Sequence, residues 1–297
     1  MNKREWKSLL ITLAAILIIG SVLTGVAVSS LTAKPVAVEI TPEPTPEPVD
    51  MKPLREQVEE AIAGIGGDWS FYVKHLDSDS VLEYQNQQLQ PASVIKMFRM
   101  IAFYRALQEG LISSSPEILD TVKRMIIYSE NAASNEVVTY IGNGDFYKGA
   151  EYVNETAAKL GCTQTQDGMM LFDYDPGYLV PGINYSCVTD CGIALEKIYR
   201  KECISPKYDE EMLKLLLGQT RREKIPALLP EGTKIANKTG ETDDIQADVG
   251  IVFSPKGDYV ICAMVNNTRS SWDSHQAIAK LSEITYNFFN DKGNSEE

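Results

Sequence analysis

Histidine is nearly absent from this chain: His75 and His275 are the only two in 297 residues. They lie far apart in sequence, and neither sits in an H-E-x-x-H pattern. That argues against a zinc centre, and any serine chemistry must find its base elsewhere. Paired cysteines are lacking too. Cys162, Cys187, Cys191, Cys203 and Cys262 form no C-x-x-C motif. Cys187 and Cys191 stand one helical turn apart, which suits a shared face but not an unstrained disulfide. An odd count leaves at least one thiol free within a chain, and buried structural thiols are the expectation. Basic residues are also scarce. Lys and Arg number 28 against 41 Asp and Glu, a formal charge of −13. No basic stripe with interleaved aromatics occurs, so nucleic acid is not an expected partner, nor is docking on anionic lipid.

What is present begins with a membrane address. Lys3, Arg4 and Lys7 precede an uncharged run, Leu9 to Val28, rich in Leu, Ile, Val and Ala. About 20 apolar residues at ~1.5 Å each cross a ~30 Å hydrocarbon core. The flanking charges favour an inside N-terminus and an outside remainder. The expectation is a cytoplasmic start over 1–8, a single-pass anchor over 9–28 and an extracellular domain. A cleaved signal peptide with secretion is the alternative, with Gly25, Ala27 and Ser29 as a weak cleavage region. Residues 29–50 read as a linker, with Pro35, Pro42, Pro44, Pro46 and Pro48 spaced by Glu and Thr. Such a segment is extended and self-repelling. Residues 51–291 read as the folded domain and 292–297 as a polar tail.

Within the domain, Leu54, Val58, Ile62 and Ile65 keep helical spacing, ended by Gly66-Gly67. Two short strands follow, around Trp69–Val73 and Val81–Tyr84, joined by a turn at Asp77–Ser80. Ala92 to Leu107 is apolar nearly all round, the pattern of a buried central helix. Further helices are predicted over roughly 117–141, 145–160, 187–201 and 208–217. Thr163 to Tyr185 has no period and reads as a long surface loop. Strands are predicted over 233–239, 247–254 and 259–265, the last two joined at Pro255–Asp258. Ile278, Leu281, Ile284 and Phe288 mark a closing helix. Two strands, a helical block, three strands and a helix make an α+β domain. The expected sheet is antiparallel, with the terminal helices on one face and the helical block on the other.

Three short motifs carry chemistry. Ser93-Val94-Ile95-Lys96 places a lysine three residues after a serine, on one helix face. A serine hydroxyl needs a neighbouring base, and lysine serves only if burial and nearby cations lower its pKa. Ser93 also sits where free helix N–H groups favour an oxyanion. Ser129-Glu130-Asn131 follows the apolar Met125–Tyr128. Its bland reading is a loop with Ser129 as a helix N-cap. Lys238-Thr239-Gly240 lies on a predicted strand, Lys238 and Gly240 on one pleat and Thr239 on the other. Each motif alone is common; their order is the informative feature.

That ordered set resembles the serine β-lactamases of class A and their penicillin-binding relatives. Pro91 to Met97 looks like the nucleophile helix, Met125 to Asn135 like the second-motif junction, and Asn237 to Glu241 like the third motif. The resemblance spans about Leu54 to Phe289 and implies a β-lactamase/transpeptidase-like fold and a serine hydrolase. It implies Ser93 as the acylated nucleophile and Lys96 as its proton acceptor. Ser129 relays the proton, Asn131 positions substrate, and Lys238, Thr239 and Gly240 bind it, with Lys238 and Thr239 on its carboxylate. The backbone N–H groups of Ser93 and Glu241 form the oxyanion hole. No cofactor or metal is implied; the implied partners are β-lactams or D-alanyl cell-wall peptides. The sequence departs from class A at one important place. Gln166 to Tyr185 contains no glutamate, where class A enzymes carry the one that activates the deacylating water. Asp173 and Asp175 are the nearby substitutes. Two outcomes stay open: an acyl-transfer hydrolase with slow turnover, or a penicillin-recognising sensor that stays acylated.

Overall fold

Period-two alternation in β5 organises the domain. In the computed structural model, which describes residues 47–173 and 182–290, β5 is Tyr259–Asn266. Its Val260, Cys262 and Met264 enter one hydrophobic core, while Ile261, Ala263 and Val265 enter another. A strand buried on both faces must carry apolar residues at every position. The other strands are β1 (Asp68–His75), β2 (Val81–Tyr84), β3 (Lys234–Glu241) and β4 (Gln246–Phe253). They pair antiparallel throughout in the order β2-β1-β5-β4-β3. This leaves β2 and β3 at the edges.

Two helices, α1 (Lys52–Ile62) and α8 (Ser271–Asn290), cover one face. Leu54, Val58 and Ile62 meet Ile278 and Leu281 there, over Trp69, Phe71 and Val73. The opposite face carries the helical block: α2 (Ile95–Gln108), α3 (Pro116–Lys123), α4 (Asn131–Ile141), α5 (Phe146–Leu160), α6 (Val188–Arg200) and α7 (Pro206–Leu217). Every residue of α2 from Ile95 to Ala106 is buried, as its all-round apolar pattern predicts. The two-sided α+β arrangement is the expected one. All five cysteines are buried free thiols. Among the described residues no helix is long and apolar enough to cross a membrane. The expected cytoplasmic start, anchor and tail lie outside the described residues, as does most of the linker.

Two expectations need correction. The helix expected over 117–141 is broken. α3 widens into a π-helical turn, Arg124–Tyr128, and Ser129 takes a left-handed conformation (φ 60°) before α4 begins. The break is stabilised from outside the helix, because the Ser129 carbonyl accepts a 2.6 Å hydrogen bond from Lys96 Nζ. The loop after α5 is also no mere surface excursion. Thr165, Asp167 and Asn184 within it are buried. Arg99 holds both oxygens of Asp167 at 2.7 Å, and Gln166 pairs with Tyr185. A buried charge of this kind is tolerated because it is paired.

α4 and α5 cross at Gly149, where a Cβ would collide with the Val138 backbone carbonyl. Replacing glycine by alanine inside a helix ordinarily stabilises it by ~1 kcal/mol. Here the sign reverses: Gly149→Ala should lower stability by about 1–3 kcal/mol, read as a reduced urea midpoint. An unchanged or raised midpoint would show that the two helices can separate freely.

Candidate active site

The turn that carries Ser93 is built at the entry to the central helix. Pro91 leads into a 3₁₀ turn, Ala92–Val94, that runs into α2. Ala92 has φ 45°, a left-handed conformation unusual for alanine. Ser93 and Lys96 face each other one turn apart, with Lys96 Nζ 3.0 Å from Ser93 Oγ. Lys96 is fully buried. Its nitrogen also lies 2.6 Å from the Ser129 carbonyl oxygen, 2.7 Å from Asn131 Oδ1 and 3.2 Å from Ser129 Oγ.

The left-handed kink at Ser129 turns both its hydroxyl and its carbonyl toward Lys96. Asn131, at the first turn of α4, bridges two parts of the site. Its Oδ1 accepts from Lys96, while its Nδ2 donates to the Phe172 carbonyl (3.0 Å) and to Asp173 Oδ1 (2.8 Å). Glu130, the middle of the motif, instead accepts from Arg124 Nη1 at 2.7 Å.

β3 approaches from the other side. Ala236 faces the helical block and Ile235 the terminal helices, so Lys238 and Gly240 share the nucleophile's face, as alternation requires. Lys238 Nζ donates to Ser129 Oγ at 2.9 Å and to the Thr239 carbonyl at 2.8 Å. A Cβ on Gly240 would stand 2.5 Å from the Pro91 carbonyl oxygen and 3.2 Å from the Ser93 nitrogen. Only glycine permits this approach, which brings the chain leading into Glu241 beside the Ser93 amide. Thr239, on the opposite pleat, still lines the cleft, because β3 is the sheet edge.

The electrostatics follow from crowding cations in a buried place. Burial, reinforced by the charges of Lys238 and Arg99, lowers the Lys96 pKa to about 6, and Asp173 opposes the shift. Burial likewise lowers Lys238 to about 7, opposed by buried Asp248. At neutral pH the Lys96 amine is therefore largely uncharged. A neutral amine has two hydrogens and one lone pair. The two carbonyl oxygens, Ser129 O and Asn131 Oδ1, can only accept, so they take the hydrogens. The lone pair is left for a serine hydroxyl. That is a base poised to take a proton from Ser93.

Ser93, Ser129 and Asn131 open onto a cleft of about 510 Å³, lined also by Phe172, Asp173, Arg221, Thr239, Gly240, Glu241, Thr242 and Asp243. The structure thus gathers every predicted site residue, with one change of position. Lys238 is buried behind Ser129 and does not line the cleft. Arg221 does, and the motif reading missed it. It precedes β3 in the cluster Arg221-Arg222-Glu223-Lys224. Lys224 is buried and donates to the Gly240 and Ala247 carbonyls at 2.9 and 3.2 Å, supporting the strand beside the nucleophile. Asn135 and Arg99 were missed as well. Asn135 clasps Leu171 through both its backbone groups (2.7 and 2.9 Å), and Arg99 donates to the Met169 carbonyl. Of the two loop carboxylates, Asp173 reaches the site and Asp175 lies outside the described residues. A larger hollow near Arg269 and Lys280, between the end of α1 and the start of α8, contains none of these groups.

This constellation, a buried lysine beside a serine with an edge strand across from them, is that of a serine hydrolase of the β-lactamase type. The chain belongs to the beta-lactamase enzyme family, whose model matches residues 53–119 and 113–289. No curated protein sequence matches it. Among solved structures, the fold is similar to a β-lactamase from Sphaerobacter thermophilus (TM-score 0.71, 21% identity, 81% of this chain and 98% of that one). It is similar also to PBP-A (TM-score 0.72, 24% identity, 82% and 98%). The TLA-1 extended-spectrum β-lactamase follows closely (TM-score 0.68, 18% identity, 80% and 98%).

Asp173 raises the Lys96 pKa, so removing its charge should lower it further. Asp173→Asn should shift the acid limb of the Ser93 modification rate to lower pH, since the neutral amine then persists into more acid solution. The rate is measured across pH 4 to 8 with a serine-directed acylating reagent. An acid limb that stays in place would show that Asp173 is electrostatically remote from Lys96.

Proposed function

We propose that this chain forms an acyl-enzyme on Ser93 with β-lactams or with D-alanyl cell-wall peptides. The observation that carries the reading is the buried, largely neutral Lys96 amine 3.0 Å from Ser93 Oγ. Lys96 takes the Ser93 proton as the hydroxyl oxygen attacks the carbonyl carbon. The ammonium so formed is held by the Ser129 carbonyl and Asn131 Oδ1. Ser129, in contact with both lysines, passes a proton to the leaving nitrogen. Glu241 and Ser93 offer backbone N–H groups to the oxyanion. Thr239 and Arg221 receive the substrate's carboxylate, with Lys238 acting from behind Ser129. A mutant of PBP-A has been solved as an acyl-enzyme complex with penicillin G, which supports the same first step here.

The second step is slow in this reading. A missing general base typically costs a factor of about 10²–10⁴, and Gln166 to Tyr185 offers no glutamate. Asp173 is tied to Asn131 and is the one carboxylate of the described loop placed near the nucleophile. The same absence favours a second reading, a sensor that is acylated and remains so. For either role we place the domain outside the cell membrane, tethered by residues 9–28 through the proline-rich linker. The support is the uncharged run, its basic flank and the cell-wall location of the proposed peptide substrates.

A labelled penicillin should add covalently to the purified protein, seen as one adduct in intact mass, and Ser93→Ala should abolish it. The acylation rate should rise with pH through about 6 and level off above it, because only the neutral Lys96 is a base. Complete absence of an adduct would falsify the proposed first step. The lifetime of the adduct then separates the two roles: minutes or less for a hydrolase, hours for a sensor.

A further inference from the structure

The cleft is charged in a way that the reaction itself does not require. Among the described residues that line it, Arg221 is the one cation, facing three carboxylates: Asp173, Glu241 and Asp243. Before any substrate arrives, Arg221 is already engaged. Its Nη1 is bonded to Glu241 Oε1. The other oxygen, Glu241 Oε2, lies 3.4 Å from Lys224 Nζ and 3.7 Å from His275 Nε2. Glu241 therefore plays two separate parts. Its backbone follows Gly240 beside the Ser93 amide, and its side chain covers the cleft's cation.

We propose that the Glu241 carboxylate occupies the place a substrate carboxylate would take on Arg221, and so sets a charge preference. Acyl donors bearing a positive group near the reacting carbonyl are favoured. Donors with two negative charges are disfavoured. Three observations carry this. First, the Arg221–Glu241 pair sits inside the cleft and shares its lining with Ser93 and Thr239. Second, the pair is partly exposed, at 44% and 38%. Ion pairs this accessible are weak, so the Arg221 contact can open to a competing carboxylate while Lys224 still holds Glu241 Oε2. Third, Asp243 and Asp173 add negative charge to the same walls, and low-dielectric walls concentrate such a field. Lys238 is buried behind Ser129 and cannot pair directly with a ligand in the cleft.

The inference rests on the acylation reading above, and the experiment separates the two. Three penicillins are compared that differ only at the side-chain α carbon, carrying hydrogen, an ammonium or a carboxylate. Second-order acylation rate constants at low salt should fall in the order ammonium, hydrogen, carboxylate. The extremes differ by two unit charges and should differ by about threefold to tenfold in rate, the range expected in a partly solvated, screened cleft. Glu241→Gln keeps the backbone N–H and should compress this spread, raising the carboxylate compound most. Asp243→Asn should compress it less, because Asp243 does not cover Arg221. Thermal midpoints confirm that both variants are folded. Rates equal within twofold in the natural protein, or a spread unchanged in Glu241→Gln, would overturn the charge preference. Equilibrium binding of the three compounds to Ser93→Ala is measured in parallel and should show the same order. If nothing labels Ser93 while the binding order holds, the acylation reading fails and the charge preference stands. If no order appears in binding either, both fall.

Discussion

A lysine amine with no room for its charge organises this protein. Lys96 is buried at the meeting point of the central helix, the kink at Ser129 and the edge strand, with a second lysine close by. In water its proton would stay on. Here burial above all, and then the charges of Lys238 and Arg99, make its charged form expensive, while two carbonyl oxygens hold the amine. The surroundings answer to that one requirement. The helix must be apolar on every side to bury it. Ser129 must leave the helical conformation to offer its carbonyl. β3 must come close enough for Lys238 to act, and Gly240 is what lets it.

Much of this was legible in the sequence, for physical reasons. The sheet's two-sided burial shows as near-continuous apolar runs in β4 and β5. Helices α1 and α8 show through residues such as Leu54, Val58 and Leu281 at helical spacing. The site shows because its lysine–serine pair is local, three residues apart on one helix, and because the other two motifs keep their order. Side-chain type and spacing encode such features directly.

What stayed hidden depends on partners distant in sequence. No local pattern says that α3 must widen at Arg124–Tyr128, since the stabilising hydrogen bond comes from Lys96, far upstream. The loop after α5 lacks periodicity and so resembles an exposed connection. Its order comes from Arg99, Asn135 and Asn184, which replace secondary structure with side-chain bonds to the backbone. Lys238 offered a strand position but not a depth. Burial behind Ser129, and the exposure of Arg221 in its stead, follow from how the edge strand meets the helical block.

Gly240 has a meaning beyond the space it leaves. The two backbone amides proposed to receive the oxyanion belong to Ser93 and Glu241, which stand far apart along the chain. They meet only when the last part of the sheet closes against a turn that precedes the helical block. The site is thus a product of long-range closure, the slowest kind of contact for a chain to form. A partly folded molecule can have its central helix and its lysine in place and still lack a pocket that stabilises developing negative charge. The proposed reactivity is a property of the finished topology: before β3 closes, the turn at Ser93 lacks both the Glu241 amide and the Lys238 charge that helps keep Lys96 neutral.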